Sequence, residues 1–105
     1  MKRIEFAPEA RAELDGAADE YEREREGRGL RFYIAVERAT QAAAALPEAG
    51  PLFPAVPARL SIRRRLVPRF PFALAYRVVG DVVRIEAVAH TRRLPGYWLV
   101  RVGTE

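Results

Sequence analysis

The 105-residue chain contains no cysteine, and it has one histidine (His90), one serine (Ser61) and one lysine (Lys2). Without cysteine there can be no disulfide and no thiol chemistry, which suits the cytoplasm. With one histidine, a metal site would depend on carboxylates, and these sit mostly in the first helical stretch. Neither a metal nor a cofactor is therefore expected. A Ser/His/Asp arrangement would have to join Ser61 to His90, and nothing in their spacing supports it. There is no phosphate-binding glycine loop, no dinucleotide fingerprint, no nucleophile elbow and no zinc-protease motif. No apolar run approaches the roughly 20 residues that a membrane span needs. Residues 2–5 are charged or mixed, so no signal peptide is expected.

What is present is arginine, unevenly placed. Residues 1–50 carry 8 basic and 11 acidic side chains, whereas residues 51–105 carry 10 basic and 3 acidic ones. The net charge of +4 hides this polarity. Arginine forks bind phosphate and carboxylate in bidentate fashion, so the basic half favours a nucleic acid or an acidic protein segment as partner.

The length suits one domain, residues 1–105. Ile4 and Phe6 share a face of a short first strand within Lys2–Phe6. Pro8 then fits the first position of a helix, with Ala10, Leu14, Ala17, Ala18 and Tyr21 at helical spacing. Arg11–Asp15 and Asp19–Arg23 are spaced as i,i+4 pairs on its outer face. Gly27 and Gly29 stop this helix. A second one is predicted from about Leu30 to Leu46, with Phe32, Val36, Ala39, Ala43 and Leu46 on one stripe. Pro47, Pro51, Pro54 and Pro57 punctuate the next stretch of chain. PxxP spacing can mark a polyproline ligand, but here a stiff surface connector is the simpler reading.

Leu60–Val67 reads as a strand with Leu60, Ile62 and Leu66 on one face and Arg63 and Arg65 on the other. Three consecutive arginines imply an edge or an exposed concave face. Phe72–Val79 and Val82–Ala89, separated by Gly80-Asp81, read as a β-hairpin with a tight primed turn. On the second strand Val83, Ile85, Ala87 and Ala89 are expected to alternate with Val82, Arg84, Glu86, Val88 and His90. The basic set Arg59, Arg63, Arg64, Arg65, Arg69, Arg77, Arg84, His90, Arg92 and Arg93 can converge on one sheet face. It could hold a phosphodiester there, with His90 and Tyr97 as proton carriers. The plainer alternative is a solvated arginine face, a structural His90, and Tyr97-Trp98 packed on the sheet.

Three stretches, taken in order, resemble the RelE/ParE family of toxins from type II toxin–antitoxin pairs. They are Phe6-Ala7-Pro8-Glu9-Ala10 before a helix, Arg69-Phe70-Pro71-Phe72 leading into Tyr76, and Ala87-Val88-Ala89-His90 followed by Arg93, Pro95, Tyr97 and Trp98. The resemblance spans Ile4 to Arg101. It implies an α+β fold: an N-terminal strand, an antiparallel helical hairpin, and a three-stranded antiparallel part of one sheet. RelE-like members cut messenger RNA on the ribosome and use basic and aromatic residues of the sheet. ParE-like members poison DNA gyrase. The positions nearest to the catalytic set are Arg63 or Arg65, Arg69, Arg84, His90 and Tyr97. Arginine stays protonated and is poor at acid–base work. The helical hairpin, the Phe-Pro-Phe stretch and the Pro-Gly-Tyr-Trp pattern are more similar to the ParE branch.

The expectation is a cytoplasmic growth-arresting toxin that inhibits DNA gyrase, helps plasmid stabilization and is neutralised by a cognate antitoxin. The alternatives are a ribosome-dependent mRNA endonuclease, using His90 and Tyr97, and a non-toxic nucleic-acid-binding module. Arg63, Arg65, Arg69, Arg84, Arg92 and Arg93 are the candidate contacts to target or antitoxin. A shallow apolar groove rimmed by arginine is expected between the sheet and the helical hairpin, with Ala39 or Ala43 in its floor.

Overall fold

In the computed structural model, which describes residues 1–102, strand β1 is Arg3–Phe6 and helix α1 is Pro8–Glu24. Pro8 starts the helix where a missing N–H costs nothing, and Glu9 lies at the positive end of the helix dipole. Ala10, Leu14 and Ala18 form the buried face. Neither expected outer-face pair forms among the described residues. Arg11 lies over the Phe6 ring at 4.5 Å, Asp15 accepts a hydrogen bond from Tyr33 at 2.6 Å, and Arg23 reaches Glu20 at 3.6 Å. Exposed i,i+4 pairs contribute only a few tenths of a kcal/mol, so such partners displace them easily.

Helix α2 is Arg28–Ala45, beginning before the expected Leu30. Gly27 adopts the left-handed conformation (φ 88°) and turns the chain. The Glu22 carboxylate accepts hydrogen bonds from the backbone N–H groups of Gly27 and Gly29, each at 3.1 Å, and so caps the new helix. Gly29 is therefore not a stop. It lies inside α2, where a Cβ would come 2.7 Å from the Ala18 carbonyl oxygen. Phe32, Val36, Ala39 and Ala43 are buried as expected, but Leu46 follows the helix and is exposed.

The sheet has the order β1-β4-β3-β2, with β2 Arg63–Val67, β3 Phe72–Val79 and β4 Val82–His90. β4–β3 and β3–β2 are antiparallel, as the hairpin pattern implied, and β1 adds in parallel to β4. Val79 pairs with Val82 across a two-residue turn in which Gly80 takes φ 61°. β2 starts later than expected, because Ala58–Leu60 form a 3-10 turn and Ser61 is left-handed.

One register shift overturns the alternation expected of β4. Ala75 pairs with Ala87 but Tyr76 pairs with Ile85, so Glu86 is an extra residue, a β-bulge. Val83 and Ile85 consequently pack under the helices together with Val88, while Ala87 and Ala89 face the other way with Ala73 and Ala75. The bulge buries Glu86, whose carboxylate meets Arg77 Nε at 2.7 Å and Arg84 Nε at 3.4 Å. Arg77 and Arg84 stand opposite each other across the strands, and Glu86 offsets their repulsion.

Two cores result. Beneath the helices, Tyr21, Phe32, Phe70 and Phe72 form an aromatic cluster with ring centroids 4.9–6.3 Å apart, joined by Leu74, Tyr76 and Ile85. On the opposite face Trp98, Phe53, Ile62 and Val102 cover the alanines of β3 and β4. Each fully buried large apolar side chain contributes on the order of 2 kcal/mol. The proline-rich connector packs against β2 and is not a detached polyproline segment. Phe53 N–H donates to the Ile62 carbonyl and Arg64 N–H to the Pro51 carbonyl, both at 2.8 Å. Gly50 permits this approach, since a Cβ there would lie 2.5 Å from the Tyr76 hydroxyl. The chain ends the described region in a short helix, α3, Leu99–Val102.

Candidate functional site

α2 and the β2 edge leave a groove between them. One part, of about 620 Å³, is lined by Arg28, Arg31, Ile34, Ala35, Arg38, Pro68, Arg69 and Phe70. A second part, of about 370 Å³, continues past Arg38 and Pro68 to Ala39, Ala42, Arg64, Arg65 and Leu66. The floor is small and apolar because α2 presents alanines there. The rim is cationic because arginines recur on that helix at positions 28, 31 and 38, on β2 at 64 and 65, and in the β2–β3 turn at 69. Ala39 lines the groove, whereas Ala43 is fully buried in the core. Arg31, Arg38, Arg65 and Arg69 have no carboxylate partner among the described residues. Arg69 adopts φ 72°, a conformation that costs a non-glycine residue about 1 kcal/mol or more, and the tight β2–β3 turn imposes it.

Arg63, Arg84, Arg92 and Arg93, also expected to make contacts, are placed elsewhere. Arg63 and Arg65 lie on the helix-covered side of β2 with Val67, not on an open concave face, because the alternation from buried Val67 puts them there. Arg63 donates to the Gly50 carbonyl at 2.7 Å and so fastens the connector. Arg84 lies on the opposite face, between Glu5 at 3.1 Å and Glu86. Arg92 and Arg93 are exposed in the loop after β4, where Arg93 stacks over the Tyr97 ring at 3.6 Å.

His90 and Tyr97 do come together, beside α1, in a cavity of about 370 Å³ that Glu13 and Arg93 also line. The His90 ring meets Phe72 edge-on, and its Nδ1 accepts the Arg92 N–H at 3.0 Å. Glu13 accepts hydrogen bonds from the Tyr97 hydroxyl, from both terminal nitrogens of Arg101 (3.0 and 3.1 Å), and from the Val88 backbone N–H (3.0 Å). Arg101 also reaches the Glu86 carbonyl at 3.4 Å. β1 pairs with β4 only as far as Ile85, so Glu13 and Arg101 satisfy the edge that β1 leaves bare. Burial and the bond to Glu13 push the Tyr97 phenol up to about 12. Arg101's own hydrogen bonds to Glu13 raise it above its ordinary value. A tyrosine whose proton is held by a carboxylate at that pKa is a weak acid and, at neutral pH, no base.

A family model described as the ParE toxin of type II toxin–antitoxin system, parDE, matches residues 4–95. The chain belongs to the ParE toxin family. A chain from a chromosomal ParDE TA system from P. aeruginosa superposes with a TM-score of 0.73 at 21% identity, covering 88% of this chain and 98% of that one. At that identity the likeness speaks for the fold. No curated protein matches the sequence.

Within this ParE frame, sequence reasoning misses Glu13 and the groove arginines of α2. Arg28, Arg31 and Arg38 fall in the acidic half of the chain, where neighbouring carboxylates mask them. Their spacing of three and seven residues puts them on one helical face, and that signal could have found them. Glu13 carries no such signal, because its partners lie 75, 84 and 88 residues away.

Proposed function

We propose that this chain is a toxin that inhibits DNA gyrase and that a cognate antitoxin neutralises it by filling the arginine-rimmed groove. The groove carries the antitoxin half of this reading. Its floor of Ile34, Ala35, Ala39 and Phe70 suits apolar anchors of a segment that folds on binding, and its unpaired arginines suit carboxylates. The anchors supply most of the affinity, and the charges speed encounter and set register. Membership of the ParE family supports gyrase as the target. So does the state of Tyr97, which with His90 would be one of the two proton carriers of a ribosome-dependent nuclease: its hydroxyl is committed to Glu13.

Induced expression in bacteria, with separate readouts of DNA damage and protein synthesis, tests the target. The expected result is filamentous cells and a DNA-damage response while translation continues at first. Prompt translational arrest with cleaved messenger RNA and no DNA damage overturns it. Growth arrest in the cytoplasm, relieved by co-expressed antitoxin, is the companion expectation.

A further inference from the structure

On the face of the sheet opposite the helices lies a smaller cleft of about 210 Å³. Phe53, Leu66, Leu94 and Trp98 wall it, and Arg64 and Arg93 flank it. We propose that a target protein docks here, through one apolar side chain that stands beside a carboxylate. The proposal deepens the toxin reading and rests on it for the identification of the partner as a target.

Four features favour such a partner. First, Trp98 is fully buried and packs edge to face on Phe53 at 5.2 Å, so the apolar wall of the cleft is already in place before a partner arrives. Second, the polar groups of the lining are cationic or neutral, and no carboxylate lines the cleft among the described residues. The charge therefore calls for an anion. Third, Leu94 and Leu66 are 80% and 57% exposed at the rim, apolar surface left for a partner to cover. Fourth, Arg93 is already held by its stack on Tyr97, and Tyr97 is held by Glu13, so little ordering remains for binding.

A nucleic acid fits less well. Stacking needs an open aromatic face, but Phe53 and Trp98 are spent on each other at 5.2 Å, edge to face, and Arg93 covers the Tyr97 ring at 3.6 Å. The antitoxin groove lies on the other side of the sheet and meets this cleft only at Arg64 and Leu66 of β2.

Trp98 is the chain's one tryptophan, so its fluorescence reports on the cleft directly. The probe is the blocked tetrapeptide acetyl-Leu-Glu-Phe-Asp-amide, compared with its Gln/Asn counterpart and with a tetrauridine oligonucleotide. The acidic peptide should perturb the fluorescence and bind about tenfold tighter than the neutral one. Arg64→Gln and Arg93→Gln should each weaken it severalfold. No response to the acidic peptide, equal binding of both peptides, or tighter binding of the oligonucleotide overturns the proposal.

A second arm identifies the partner. Arg93→Gln should lose toxicity on induction while its affinity for purified antitoxin stays within about threefold. A parallel loss of antitoxin affinity assigns the cleft to the antitoxin and overturns the target assignment. The titration needs neither gyrase nor antitoxin. Its failure therefore leaves the toxin reading standing, and an inert wild type in cells leaves the titration to decide the cleft.

Discussion

Two regions of the molecule carry arginine in opposite states. Around β4, Arg77 of β3, Arg84 of β4 and Arg101 of α3 are each tied to a carboxylate: Glu86, Glu5 and Glu13. Along β2 and the facing side of α2, Arg31, Arg38, Arg65 and Arg69 have none among the described residues. The residue type is the same in both places, but the work differs. Where a carboxylate is near and partly dry, arginine completes the fold, and losing a partner leaves a charge stranded. Where none is near, arginine costs little to keep in water and remains available to a partner. A count of arginines therefore does not locate a binding surface. The distribution of carboxylates does.

Breaking the β4 side should have the largest effect. Glu13→Ala removes the acceptor for Tyr97, Arg101 and the Val88 N–H together, and should lower stability by about 3 kcal/mol in urea unfolding. Little change would show that water replaces the carboxylate and that the hub is ornamental. Glu86→Ala should cost somewhat less, about 2 kcal/mol, because Arg84 keeps Glu5.

On the β2 side the expected change in stability is small and the change in binding is large. Arg38→Glu and Arg65→Glu should each stay within about 0.5 kcal/mol of wild type. Both should slow antitoxin association several-fold at low salt and weaken its salt dependence. Equal association rates for wild type and Arg65→Glu would show that the antitoxin docks elsewhere. Arg84→Glu is the control: it should unsettle the fold and leave the encounter rate nearly unchanged.

The smallest effect concerns pH. Tyr97 has its phenol raised in the folded state, from 10 to about 12. The folded protein thus holds this proton more tightly than the unfolded chain does. Its contribution is complete below pH 10 and is lost as pH rises from 10 to 12. Tyr97→Phe should flatten that stretch of the stability–pH curve. An unchanged slope would mean that other groups set the alkaline limit.

Much of the fold was legible because it rests on local pattern. Pro8 begins a helix, Gly80-Asp81 makes a two-residue turn, and Ala-rich stretches with Phe32 and Val36 show the helical period; each depends on neighbours a few residues apart. The motif order from Phe6 to Trp98 added the family, and the match over residues 4–95 bears it out. The groove was legible in kind, an apolar floor with an arginine rim, but its membership was not. Arg63 turned out to fasten Gly50, Arg84 to lie across the sheet, and Arg28, Arg31 and Arg38 to complete the rim.

What only the tertiary structure decided has a common physical cause. A strand's period of two fixes faces only while no residue is inserted, and the bulge at Glu86 depends on the partner strand. An ion pair forms between whichever opposite charges the fold brings near, and Glu13 finds Arg101 at a separation of 88 residues. The sequence by itself determined helices, turns, strand order along the chain and the excess of arginine. Packing determined which of those arginines were neutralised and which were left facing water, because burial and distance set the worth of a charge and neither is written in local order.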